Sequence, residues 1–117
     1  MRIILFILFV LIGLNGFANP PIFTDSIENA QKISTDLKIP ILVIVSADWC
    51  LYCNKLDNQI SNNLEIFDNI IILKLDYDKD IEFVKKNNIK KIPTIIYQGN
   101  KYVGKYDIID LKKILAR

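Results

Sequence analysis

The chain holds two cysteines, Cys50 and Cys53, in the run Ala47-Asp48-Trp49-Cys50-Leu51-Tyr52-Cys53-Asn54-Lys55. Two thiols at this spacing can close a disulfide, attack another disulfide, or contribute to a metal site. Ahead of them, Ile41-Leu42-Val43-Ile44-Val45 reads as a buried strand. Behind them, Cys53, Leu56 and Ile60 fall at i, i+3 and i+7, one face of a helix. A cysteine at a strand-to-helix junction meets unpaired N–H groups and the positive end of the helix dipole, which favour an anion. Thiolate is the nucleophile of disulfide exchange. Cys50 is therefore the candidate attacking sulfur, and Cys53, one turn into the helix, the candidate resolving one.

Competing uses of the pair are poorly supplied. A structural zinc site needs four ligands, and the chain offers two cysteines and no histidine. Haem attachment needs a histidine directly after the second cysteine, where this chain has Asn54. A purely structural disulfide over this spacing closes too small a loop to restrict the unfolded chain much. Two inert buried thiols remain the bland alternative. Redox exchange is the favoured reading, with the Cys50–Cys53 disulfide as its own centre and no nucleotide or metal cofactor implied.

The 117 residues suit one domain, and a net charge of +2 with scattered basic residues points away from nucleic acid. The first 18 residues are of another kind. Arg2 is followed by ten apolar residues, Ile3 to Ile12, then small residues at Gly16 and Ala18. This matches a secretory signal peptide over residues 1–18, leaving a domain over residues 19–117. An uncleaved anchor is the alternative, but the apolar run is well short of the ~20 residues that span a bilayer. Export would place the protein in a periplasmic or secreted setting. There a lone dithiol either oxidises its partners or is kept reduced by a dedicated donor.

The elements that must position the cysteines follow in order. Thr24 is the expected cap of a helix with Ile27, Ala30, Ile33 and Leu37 on one side, ending before Ile39-Pro40. The strand Ile41 to Val45 is apolar throughout, as in a central strand covered on both faces. After the C-x-x-C helix, Ser61 to Asp68 reads as a short helical turn presenting Leu64 and Phe67, and Ile70 to Asp76 as a second strand. Asp78 or Asp80 would cap a helix through Ile81, Val84 and Lys85, ended by Asn87-Asn88. Pro93 to Tyr97, a turn at Gly99-Asn100, and Lys101 to Tyr106 make a hairpin. Asp107 caps a last helix with Ile108, Leu111 and Leu115 inward and Lys112, Lys113 and Arg117 at its C-terminal end. The sum is one α/β domain.

Three features carry a resemblance to the thioredoxin-like superfamily. Trp49-Cys50-x-x-Cys53 resembles its active site, Ile92-Pro93-Thr94 resembles its Ile-cisPro-Thr loop, and the stretch from Lys74-Leu75 to that proline aligns with no apparent gap. The closing hairpin and helix match too, so the resemblance covers residues 24–117. It implies a thioredoxin fold: a central mixed β-sheet flanked by helices, with a C-terminal β-hairpin plus helix. It further implies a cis Pro93 against the cysteines, an Ile92 backbone that pairs with an extended substrate, and Trp49 shaping the contact surface. Lys74 matches a lysine beneath the family's active site, or is a strand-end lysine reaching solvent.

Two departures bear on chemistry. The family's buried acid, a proton acceptor for the second cysteine, falls at Ile44, so Cys53 would rely on water, Lys74 or Asp48, and slower resolution is expected. The intervening pair is Leu51-Tyr52 rather than Gly-Pro, which adds an apolar side chain and a phenol to the surface. With the leader, the wording is most similar to exported reductases and to the soluble domains of Dsb-type electron transporters. The expected function is reduction of disulfides in extracytoplasmic proteins, with electrons from a membrane-embedded thiol donor, and nothing demands more than a monomer. A thiol oxidase or isomerase, and a non-redox binding or chaperone-like module, are the alternatives.

Overall fold

A computed structural model describes residues 18–116, so the leader read at residues 1–18 lies outside it apart from Ala18. Five strands and four α-helices follow: β1 (Ile22–Thr24), α1 (Ile27–Leu37), β2 (Ile41–Ser46), α2 (Leu51–Ser61), β3 (Ile71–Asp76), α3 (Ile81–Lys86), β4 (Thr94–Tyr97), β5 (Asn100–Val103) and α4 (Ile108–Leu115). A short 3-10 helix (Leu64–Phe67) leads into β3. The sheet order is β1-β3-β2-β4-β5. β1 and β2 run parallel to β3, whereas β2–β4 and β4–β5 are antiparallel. This is the expected mixed sheet, with one more strand than the sequence suggested.

The side-chain alternation of β2 explains the continuous apolar run. Leu42 and Ile44 point to one face, where they pack with Ile72, Ile95, Leu56 and Ile60 of α2, Phe67, and Leu111 and Ile114 of α4. Val43 and Val45 point to the other, packing with Ile71, Leu73, Leu75 and Ala30, and with Ile27, Ile33, Phe83 and Val84 against that cluster. So α2 and α4 cover one face and α1 and α3 the other. From Leu42 to Ser46 both side-chain rows of β2 are buried, so the strand that delivers the cysteine loop is clamped between the two helical layers.

Several boundaries differ from expectation. Thr24 belongs to β1, and Ser26 is the α1 cap, its hydroxyl accepting from the Asn29 N–H at 3.1 Å. Leu37 is exposed rather than inward, because α1 ends there with Lys38 in the left-handed region at φ 56°. Leu64 is likewise exposed, while Phe67 is fully buried. Asp80 precedes α3 but makes no cap bond; its carboxylate accepts from the Asp76 N–H instead. The hairpin turn is Gln98-Gly99, with φ of 49° and 81°, and Asn100 already pairs with Tyr97. Two central residues with positive φ suit the right-handed twist of the flanking strands. β5 stops at Val103, since Gly104 leaves the extended region at φ 115°. In α4, Asp107 and Asp110 form a capping box, as expected of the cap, but Ile114 is buried more deeply than Leu115.

Candidate active site

The loop from β2 delivers Cys50 to the first position before α2. Cys50 has extended backbone angles (φ −92°, ψ 112°), and its sulfur accepts from the Cys53 N–H at 3.2 Å. A sulfur thus stands where a serine or aspartate oxygen usually caps a helix, aligned with the dipole. This geometry stabilises negative charge on Cys50 over neutral thiol. The loop is held by the Cys50 N–H donating to the Ala47 carbonyl and by Asn54 Nδ2 donating to the Asp48 carbonyl, both at 3.1 Å.

Cys50 and Cys53 are joined as a disulfide, with their Cα atoms 5.2 Å apart. The two sulfurs are not equivalent. Cys50 keeps 7% of its surface exposed and Cys53 1%. Attack from outside, or by Cys50 on an outside disulfide, is therefore open only at Cys50. Cys53 can be reached only through its neighbour, which is the arrangement a resolving thiol requires.

The peptide bond before Pro93 is cis, as the resemblance implied. Pro93 is buried, and the Ile92 carbonyl oxygen lies 3.9 Å from Cys50 Sγ. Since that sulfur carries no hydrogen in the disulfide, the approach is a contact rather than a hydrogen bond. It places a backbone edge beside the reactive sulfur, where an extended peptide could pair. Trp49 is 66% exposed, Leu51 82% and Tyr52 about half, so the cysteines emerge from an apolar rim. Trp49 Nε1 donates to Asp78 Oδ2 at 2.7 Å, which fixes the indole at the surface and not in the core. Lys105 Nζ stands 4.5 Å from the centroid of the Tyr52 ring. Lys105 also lowers the Tyr52 pKa, chiefly as a hydrogen-bond donor to the phenol oxygen and secondly as a charge.

Lys74 is the expected site residue that stands apart. It is exposed and paired with Asp57 of α2, so of its two expected readings the geometry fits the strand-end lysine reaching solvent and corrects the one beneath the cysteines. The reason lies in the sheet edge. β1 covers β3 only at residues 71–73, leaving Lys74 beyond its end and free to reach solvent and α2. Ile44, its neighbour in register on β2, is 1% exposed and lies among apolar side chains. The sequence shows no sign of Asp57 as a partner and marks Asp78 only as a candidate helix cap, since each finds its partner across the fold. Lys90 and Lys91 carried a local signal, their adjacency to Ile92-Pro93.

A mixed five-stranded sheet between two helical layers, with C-x-x-C opening a helix beside a cis proline, defines the thioredoxin-fold class of thiol-disulfide oxidoreductases. The family model Thioredoxin matches residues 22–116, and the chain belongs to that family. It is 33% identical over 80 residues to a thioredoxin of Rickettsia bellii, a match spanning 66% of this chain and 72% of that one. It is 28% identical over 71 residues to the chloroplastic thioredoxin-like protein CITRX of Arabidopsis thaliana, covering 60% of this chain but only 39% of the length of that protein. Among solved structures, a poplar thioredoxin h superposes with a TM-score of 0.67 at 25% identity, over 82% of this chain and 94% of that one.

Proposed function

We propose that this thiol-disulfide oxidoreductase works as an exported reductase of protein disulfides, recharged by a membrane-embedded thiol donor. The observation that carries the exchange mechanism is the unequal burial of the two sulfurs, with Cys50 capping the helix, which makes Cys50 the one that meets the substrate. The reducing direction is supported by the likeness of the chain to thioredoxins. In the reduced protein, the Cys50 thiolate bonds to one substrate sulfur and expels the other as a thiolate. The Cys53 thiol loses its proton and displaces the first substrate sulfur, closing the Cys50–Cys53 disulfide. Two electrons pass to the substrate, whose two sulfurs take up two protons. Export is supported by the basic start, apolar core and small residues of positions 1–18.

Two substitutions test the chemistry. Cys50→Ser should abolish reduction of a protein disulfide such as insulin, and Cys53→Ser should accumulate the mixed disulfide, visible as an adduct by mass. Full activity in Cys50→Ser would remove the mechanism. Direction is tested by titrating Trp49 fluorescence in thiol–disulfide buffers. A potential on the order of −270 mV supports a reductase; one on the order of −120 mV makes the protein an oxidant.

A further inference from the structure

The surface beside Cys50 is asymmetric in charge. On one side of Trp49 a hollow of about 520 Å³ is lined by Trp49, Tyr52, Tyr77 and Ile92, with Lys90, Lys91 and Lys105 around it. Tyr77 and Lys90 also line a second hollow of about 430 Å³ over Ile81, Val84 and Ile89, which Lys85 flanks. The two therefore run on as one groove, with an apolar floor and cations along it. Lys85, Lys90, Lys91 and Lys105 are all exposed, and none pairs with a carboxylate among the described residues, where Lys74–Asp57 is the one ion pair. Beyond Asp48 lies a separate hollow where carboxylates outnumber cations, with Asp25, Asp48, Asp76 and Asp80 around it beside Lys74 and Lys79. The Asp78 carboxylate is engaged by the Trp49 indole.

We infer that the groove takes an extended, acidic segment of a substrate protein, its carboxylates beside the lysines and an apolar side chain on the aromatic floor next to the disulfide. Charge complementarity names this occupant. A basic segment would place its cations against four ammonium groups that have no carboxylate partner among the described residues, and a neutral one would supply none. Such complementarity acts mainly on encounter and partner choice. The inference rests on the reading of Cys50–Cys53 as a reductant of protein disulfides, and deepens it.

The test uses the full chain reduced with dithiothreitol and freed of excess reductant. Three disulfide peptides share one apolar scaffold and carry Asp, Asn or Lys beside the cysteines. In low salt the Asp peptide should be reduced about tenfold faster than the Lys peptide, and the ratio should fall to about twofold near 0.5 M salt, where screening shortens to a few ångströms. The combined variant Lys90→Gln/Lys91→Gln/Lys105→Gln should bring the ratio toward one, and the corresponding Lys→Glu variant should reverse it. Equal reduction of all three peptides by the unmodified protein overturns the inference and leaves the proposed reductase standing. A preference for Asp that survives both variants also overturns it. Reduction of none of the peptides overturns the reductase reading itself.

Discussion

Tyr52 lies between the two cysteines and answers to Lys105. Because the ammonium favours the phenolate, Tyr52 should ionise below the ordinary tyrosine value of 10.0, whereas burial pushes Tyr97 above it. For an acid whose folded pKa is lowered, the linked stability appears only above the unfolded value and is lost as pH falls through the folded one. At neutral pH the pair therefore adds nothing through ionisation. Alkaline titration by ultraviolet absorbance should show one of the five tyrosines ionising early, and Lys105→Met should return it to the ordinary range. At Ile44, 1% exposed, Ile44→Asp should hasten release of the reduced product by offering Cys53 a proton acceptor. The same change should cost on the order of 3 kcal/mol by burying a carboxyl among apolar groups. Stopped-flow release no faster than in the parent would count against a slow step at Cys53. The cysteines, Trp49 and Pro93 were legible in sequence because their relations are local or carried by a family motif. The anchors Asp57 and Asp78 were not, since their partners Lys74 and Trp49 lie 17 and 29 residues away.

At the scale of elements, strong periodicity marked what could be read. Cys53, Leu56 and Ile60 of α2 are all buried, as their spacing required. β1 escaped notice because three residues, one of them exposed Phe23, show no period; β3 makes it a strand by pairing with it. Thr24 and Ser26 are both competent caps by type. The choice between them is tertiary: β1 pairs through Thr24, whose hydroxyl accepts from the Ser26 N–H. The hairpin was found but displaced by one residue, because Gln98 takes a positive φ that its side chain does not advertise. That turn offers a clean test. Gly99 has φ 81° with open space where a Cβ would go, so Gly99→Ala should cost about 1 kcal/mol through backbone strain alone. Gln98→Gly should be neutral or stabilising. Urea unfolding of both variants checks the pair, and an unaffected Gly99→Ala would show that the turn relaxes.

Across the whole molecule, fold and chemistry are separable. The two apolar layers set the sheet, and the sheet sets the cysteine loop against Ile92-Pro93; neither depends on the lysines, which are exposed. Fold class was legible because alternating strand and helix patterns with a closing hairpin admit few arrangements. The charge layout was not. Basic residues scattered along the chain converge only when α3, the Ile92 loop and the segment after β5 come together. The burial of Cys53 at 1% has one more consequence, for chemical proteomics. To a bulky alkylating probe the reduced protein is a molecule with a single cysteine: the tag lands on Cys50, and Cys53 passes unrecorded.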